Sequence, residues 1–452
     1  MRYLVNLVIG LSLLLFGAVS YADSHDADAE AFRDAFLAGN VSWDDVLARA
    51  KEEGEVNWYY WGGSNAINSF TSGWLTDYMK GLGVQLNLRH ITNTRDAVDL
   101  ALAEQAVGLT LGQGSVDAIW INGENFYTLG ENDLLLGSFA DKVPSSKNFV
   151  WDPSNPASGA NLYDFGYKTL AREMPWGSAQ FICRINTAFV DRADMPTTYQ
   201  ELESWLASNP GRFTYVSPPN WEGNTFIQSV AYQLNPDGTG HAPFMENAQV
   251  LGAAEIARLI KPAFEYLKRI EPNLLGGNNP DYPKAPPANM ALFGNGETDM
   301  YCGFGVGAVD AAIKNGEIPP TTQNHILPVG GLIQNKNFIG ITGNAPNPAA
   351  AIVLANAIGS VDGQIAWMGK TGGISGMDAS VLNAADQARV AAATPDTRGV
   401  TLADVSANTV PDTNASLVDI FEGTWIDFIQ RGDTERSFEQ IVADVYAAKY
   451  PE

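Results

Sequence analysis

Short apolar runs alternate with helix-forming segments along the first part of the chain. Residues 55–61 are β-branched and aromatic with no helix breaker, which predicts a buried strand, and residues 84–89 and 116–121 predict two more. The intervening residues 66–80 and 95–107 predict helices. Strands that alternate with helices at this spacing predict an α/β fold with a doubly wound, mostly parallel sheet.

The first strand ends in a glycine turn that leads into a helix. Gly62 and Gly63 would let a ligand approach the backbone, and either Ser64 or Asn65 can cap the helix whose free N–H groups point outward. In an open α/β sheet such turns lie at the carboxyl ends of the strands, where ligands bind. An ordinary βα turn is the alternative. Three later turns of the same type favour a ligand crevice: residues 122–125, 217–224 and 303–307.

The length of 452 residues indicates two lobes rather than one core. The alternation lapses into a loop rich in Pro, Ser and Asn over residues 141–177, and residues 178–186 then predict one extended strand. We interpret this strand as the first crossing between lobes. Residues 338–342 form a candidate return strand.

The first 22 residues have the pattern of a secretory signal peptide. Arg2 supplies a positive charge, residues 4–19 are apolar, and small residues at Ser20 and Ala22 predict cleavage after Ala22. An uncleaved membrane anchor is the alternative, but the apolar run is short for a span and an acidic segment follows it. The sequence therefore predicts export.

The net charge and the cysteine content limit the kinds of ligand and site that the chain can have. A formal net charge of −24 excludes the basic footprint expected for nucleic acid or anionic lipid. Cys183 and Cys302 are the only cysteines. In an oxidising compartment they could form a disulfide, and two buried free thiols on strands are the alternative. They are too few for a structural zinc site.

Three segments in the second half carry a family resemblance. FGNGETDMYCGFGVGAVDAAIKNGEI (293–318), HILPVGG (325–331) and NFIGITGNAPNPAAAIVLANAIGS (337–360) resemble the family 1 extracellular solute-binding proteins of bacterial ABC importers. The signal peptide, the opening strand–glycine–helix unit and the crossing strand follow in the expected order, so the resemblance covers nearly all of the mature chain. Residues 58–65, 120–125 and 175–177 resemble a YnjB-like branch of that family.

The resemblance implies a two-lobed, type II-like periplasmic binding protein. A solute would bind in the cleft between two α/β lobes joined by crossing hinge strands, and the closed form would dock on membrane permease subunits. It implies a periplasmic, non-enzymatic protein without a cofactor or a nucleic-acid partner, and we expect a monomer. The expected division is residues 1–22 as signal peptide, 23–177 plus about 338–400 as lobe I, and 178–337 plus about 401–452 as lobe II.

The four turns supply the candidate ligand-binding residues. They are Trp61, Gly62, Gly63, Ser64 and Asn65 in the first turn, Trp120, Asn122, Glu124 and Asn125 in the second, Trp221 and Asn224 in the third, and Gly303 and Phe304 in the fourth, with Trp176 expected to face the hinge region. Four of these residues have a plainer interpretation. Trp61 and Trp120 could be core residues at strand ends, Asn65 a helix cap, and Glu124 a solvated turn carboxylate.

Aromatic faces, amides and one acid favour a small organic solute with a ring, an amine or an amide. The absence of clustered basic residues at the turns argues against a multivalent anion. The rival function is a secreted α/β hydrolase or lyase that acts in the same cleft. Only four histidines are present, and the nearest thing to a nucleophile elbow, residues 372–376, lacks the second glycine two residues after its serine.

Overall fold

The computed structural model describes residues 27–62, 64–155 and 158–451. Within these ranges the strands are β1 (Glu55–Trp61), β2 (Gln85–Ile91), β3 (Ala118–Ile121), β4 (Tyr163–Asp164), β5 (Tyr167–Lys168), β6 (Glu173–Asn186), β7 (Met300–Phe304), β8 (Thr322–His325), β9 (Leu332–Ile341) and β10 (Thr409–Pro411).

Helices separate most of these strands, and residues 27–37 are also helical. The longer and shorter α-helices are α1 (Trp43–Glu53), α2 (Asn65–Ser69), α3 (Thr76–Gly81), α4 (Thr94–Ala106), α5 (Gly123–Glu131), α6 (Gly159–Leu162), α7 (Tyr199–Ser208), α8 (Trp221–Leu234), α9 (Ala248–Ile270), α10 (Pro286–Gly294), α11 (Ala308–Lys314), α12 (Pro348–Gly359), α13 (Val361–Thr371), α14 (Ala384–Ala393), α15 (Leu402–Ala407), α16 (Ala415–Trp425) and α17 (Phe438–Lys449).

The opening strand–turn–helix unit has the predicted form. Alternate side chains of β1 are buried, and the strand pairs in parallel with β2 and β3. Ser64 caps the following helix, because its hydroxyl accepts a hydrogen bond from the Ile67 N–H at 3.1 Å. A π-helical segment, Phe70–Leu75, interrupts that helix between α2 and α3. The next helix, α4, is capped by Asn93, whose side chain accepts a hydrogen bond from the Arg95 N–H.

One mixed sheet runs through both halves of the molecule in the order β2-β1-β3-β9-β6-β7. The first three strands are parallel, as predicted, whereas β9 is antiparallel to β3 and β6 is antiparallel to β7, β8 and β9. The long strands β6 and β9 therefore belong to both halves. The first crossing strand is longer than predicted, since β6 begins at Glu173 and continues through an irregularity between Pro175 and Ser178.

The buried side chains form separate cores on either side of these crossing strands. One group of clusters contains residues between 29 and 176 and between 339 and 382. The other contains residues between 181 and 333 and between 405 and 442. The two-lobed, type II-like architecture follows from this separation, with β6 and β9 as the connections.

A disulfide lies within the second group. Cys183 on β6 and Cys302 on β7 face each other directly in the antiparallel ladder and are bonded through their sulfurs. The predicted signal peptide and its cleavage site after Ala22 lie outside the described residues. In the described part of the chain no single helix has the length and apolar character needed to cross a membrane, and only the bent pair α12 and α13 meets the criteria jointly.

Candidate functional site

A cavity of about 770 Å³ lies where the ends of β1, β3 and β7 meet the first turns of α2, α5 and α8. This volume is within the range of small-molecule sites in proteins. Its wall includes elements from both core groups, so the cavity lies between the two lobes. Ten of the predicted residues line it: Trp61, Ser64, Asn65, Trp120, Asn122, Glu124, Asn125, Trp221, Asn224 and Phe304.

Three predicted residues are placed elsewhere. Trp176 is fully buried in the first core, with its ring centroid 4.7 Å from that of Trp120, so it is not part of the cavity wall. Gly62 lies against the His90 ring and Gly303 against the Glu222 carboxylate, and neither glycine lines the cavity. Gly63 lies outside the described residues.

Aromatic rings form a continuous surface across the cavity. Trp61 is edge-on to Trp120 of the same lobe, with ring centroids 6.3 Å apart, and edge-on to Trp221 of the other lobe at 5.3 Å. Trp221 in turn contacts Phe304 at 5.2 Å. Flat ligand rings and cations both bind favourably to such faces.

Glu124 occupies the first turn of α5 at the cavity wall. The residue is half-buried, and its Oε1 accepts a hydrogen bond from the Asn125 Nδ2 at 2.6 Å. Burial raises the pKa of Glu124 to about 7, and the nearby Asp419 carboxylate adds to this. The Glu124 carboxylate is thus partly screened from solvent and lines the cavity.

Glu222, which the sequence analysis did not single out, lies beside Phe304. Its Oε1 accepts a hydrogen bond from the Phe304 N–H at 3.2 Å. Burial raises the pKa of Glu222 to about 7, although the Arg184 guanidinium opposes the shift. Glu222 directly follows Trp221, in a turn that the sequence already indicated as a candidate binding site. Its position in the first turn of α8 could therefore have indicated Glu222 as a site residue.

A third carboxylate, Glu422, comes from α16 near the end of the chain. Its Oε1 accepts a hydrogen bond from the Asn224 Nδ2 at 2.8 Å, and the Asn224 Oδ1 accepts one from the Gln228 Nε2 at 2.5 Å. Burial raises the pKa of Glu422 well above its ordinary value, and the Glu124 charge raises it further. No local pattern indicated Glu422, since its partner Asn224 is 198 residues away along the chain.

Asn224 and Gln228 are one helical turn apart on α8, which brings both amides to the same face. The opposite side of the cavity carries further amides, Asn335 and Asn337, from the crossing strand β9. Arg95 forms an exposed ion pair with Asp99 at 2.6 Å. Among the described residues, no group of three or more His, Cys, Asp or Glu is placed to hold a metal ion.

Comparisons with known proteins agree with this architecture. The family described as bacterial extracellular solute-binding protein matches residues 73–395. The chain is 32% identical over 336 residues to Protein YnjB of Escherichia coli (strain K12), which covers 73% of this chain and 80% of that protein.

Two solved structures share the fold at low sequence identity. MalX from Streptococcus pneumoniae in complex with maltopentaose aligns with a TM-score of 0.61 at 13% identity, covering 87% of this chain and 99% of that one. AfuA from Actinobacillus pleuropneumoniae with fructose-6-phosphate bound aligns with a TM-score of 0.54 at 14% identity, covering 83% and 99%.

Proposed function

The chain belongs to the bacterial extracellular solute-binding proteins, and from that premise we propose that it binds a small organic solute with a flat ring and polar groups in the cavity between its lobes. The protein is a non-enzymatic, exported receptor of an ABC importer, and the rival hydrolase or lyase function is not supported. The proposal concerns the chemical class of the solute that it delivers.

The contact between Trp61 and Trp221 across the cavity carries the proposal. An aromatic surface that includes rings from both lobes can hold a planar solute only when the lobes are close together. The amides of Asn122, Asn125, Asn224 and Gln228 would then orient the polar groups of the solute. Solute binding and lobe closure are thereby coupled, with β6 and β9 as the hinge.

The predicted ligand-binding residues, the lobe boundaries near 177, 338 and 400, cleavage after Ala22 and a monomeric state are parts of the same proposal. N-terminal sequencing of the exported protein tests the cleavage site. Light scattering tests the monomer. The core clusters support the boundaries, since their members change near the same positions.

A thermal-shift screen of residues 23–452 tests the solute class. The library holds ring-bearing amines, amides, alcohols and carboxylates together with sugars, sugar phosphates, oxyanions and metal ions. A solute that binds only the folded state adds about 2.7 kcal/mol of stability at a hundredfold excess over its dissociation constant. We expect the largest shift from a ring-bearing organic compound. A larger shift with a free oxyanion, a metal ion or an oligosaccharide would contradict the proposal.

A further inference from the structure

The charges at the cavity wall are unbalanced. Among the described residues that line it, four are glutamates, Glu124, Glu222, Glu317 and Glu422, and two are basic, Arg184 and Lys284. The excess of acid is local to the site and therefore distinct from the acidic surface that the overall net charge indicates.

Neither basic residue is placed to neutralise Glu124 or Glu422. The Arg184 side chain is only 2% exposed and donates to the carbonyl oxygens of Ile182, Phe304 and Gly305 at 3.2, 2.9 and 2.6 Å. Its guanidinium also lies over the Tyr301 ring, 5.3 Å from the centroid, and offsets the charge of Glu222. Lys284 is exposed.

Glu124 and Glu422 approach the cavity from opposite lobes. Glu124 lies on α5 of the first lobe, Glu422 lies on α16 of the second, and these two helices pack against each other. Each carboxylate accepts a hydrogen bond from a neutral amide, that of Asn125 or Asn224. In the described part of the chain neither glutamate takes part in an ion pair.

Of the helix N-termini at the cavity, those of α5 and α8 do not favour an anionic solute. The first turns of α5 and α8 carry Glu124 and Glu222 themselves, and these carboxylates already offset the positive ends of the helix dipoles. An anion placed there would meet carboxylates. A cation would meet carboxylates and the faces of Trp61, Trp221 and Phe304.

From this arrangement, and on the basis of the function proposed above, we propose that the solute is an organic cation, whose positive group binds between Glu124 and Glu422 while its flat ring lies against Trp61 and Trp221. When both are ionised, the two carboxylates repel each other, which opposes closure. A cation between them replaces this repulsion with attraction to both lobes. The charge of the solute would therefore drive closure as well as set specificity.

The protonation state of Glu124 should change when a cation binds, which gives a second test of the proposal. Burial raises the pKa of Glu124 to about 7, whereas a nearby cation favours the ionised form. Cation affinity should therefore rise as the pH increases through about 7, with protons released on binding. The charged groups that act on Glu124 and Glu422 from neighbouring elements are Arg95, Asp164, Asp412, Asp419 and Lys449.

The test uses matched sets in which one ring scaffold carries an ammonium, a hydroxyl or a carboxylate, for example tryptamine, tryptophol and indole-3-acetate, over many scaffolds. We expect the ammonium member to bind most tightly in each set that binds. Glu124→Gln and Glu422→Gln should each raise its dissociation constant on the order of tenfold to a hundredfold, because each removes a charge-assisted contact. The matched control is Glu52→Gln, a substitution at an exposed position on α1. This variant should leave the dissociation constant of the ammonium compound unchanged.

The two proposals fail in different ways. If hydroxyl or carboxylate members bind as tightly as the ammonium, or if both glutamine variants bind the ammonium normally, the cation proposal is overturned while an organic solute in this cavity stands. If no ring-bearing organic compound binds and oxyanions, metals or oligosaccharides do, both are overturned. Apo melting temperatures of the variants identify any loss of folding, and titration in buffers of different ionisation enthalpy counts the protons released.

Discussion

The indole ring of Trp61 stands edge-on to that of Trp221, with centroids 5.3 Å apart and planes at 88°. Trp61 ends β1 and packs against the first core, whereas Trp221 begins α8, whose buried face belongs to the second. Two residues that are 160 positions apart thus join the lobes across the cavity. Both rings line the cavity, so they present an aromatic surface to a solute bound there.

Removal of either indole should weaken solute binding. Trp61→Ala and Trp221→Ala each delete an aromatic contact worth about 0.5–1.5 kcal/mol beyond buried area, so we expect about a tenfold loss of affinity or more. Calorimetric titration with the tightest compound of the screen measures it. The double variant should lose less than the two single losses together, because the residues contact each other.

Trp43→Ala is the matched control for the tryptophan variants, since Trp43 packs against the first core on α1 away from the cavity. It should lower stability and leave affinity unchanged. Normal affinity in both Trp61→Ala and Trp221→Ala would place the binding site elsewhere.

The sequence was most informative where structure depends on near neighbours. The β-branched and aromatic residues 55–61 predicted β1, and a cap at Ser64 or Asn65 predicted the start of α2, since both features depend on near neighbours in the chain. The turns also led to ten cavity residues. The turns after β1 and β3 come together because the carboxyl ends of parallel strands meet at one edge of a sheet.

Features that depend on residues far apart along the chain were not predicted from the sequence. Trp176 was misplaced because β6 begins at Glu173 rather than 178, which makes Trp176 an interior strand residue with both neighbours buried. Glu422 was missed because its cavity partners come from helices far away in the chain. The antiparallel ladders of β6 and β9 likewise depend on tertiary pairing that local patterns do not encode.

Loss of the disulfide should destabilise the second lobe. The bond between Cys183 and Cys302 closes a loop with a sequence separation of 119, so its removal should lower the free energy of unfolding by about 2–5 kcal/mol. Urea denaturation of the Cys183→Ala/Cys302→Ala variant measures this. A reductant should bring the wild-type protein to a similar stability and leave the variant unaffected. Equal stability of oxidised and reduced wild-type protein would contradict the prediction.

Stability should fall as the pH rises from about 5 to 8. Burial raises the pKa of Glu53, Glu124 and Glu222 to about 7 and that of Asp117 to about 6, above their unfolded values near 4. Folded-state pKa values above the unfolded ones give stability that is fully present below the unfolded pKa and is lost as pH rises through the folded one. Melting temperatures of the empty protein across this range check the sign.

Glu124→Gln should flatten part of this pH dependence, because glutamine does not titrate, and Glu52→Gln should not. A melting temperature that is constant or increases between pH 5 and 8 would contradict the prediction. The trend is opposite to that expected for the affinity of a cationic solute, so the two measurements test independent consequences of the same buried carboxylates.

Gly303 should be required for the shape of the cavity wall even though it does not line it. A Cβ at this position of β7 would lie 2.7 Å from the Glu222 Oε1 and 3.0 Å from the Arg184 Nη1. Gly303→Ala must therefore displace the Glu222 carboxylate or the Arg184 guanidinium, which is buried and donates to three carbonyl oxygens. We expect a loss of about 1–3 kcal/mol of stability, as for other overpacked sites, together with weaker solute binding.

Gly369→Ala separates this effect from the general consequence of adding a methyl group. Gly369 lies within α13, and a Cβ there would meet no atom within 4 Å. Because alanine is favoured over glycine inside a helix by roughly 0.5–1 kcal/mol, this variant should be as stable as the wild type or slightly more so, with unchanged affinity. Urea denaturation and calorimetric titration of both variants check the contrast. If Gly303→Ala bound solute as tightly as Gly369→Ala, the Glu222–Arg184 pair would have no part in shaping the site.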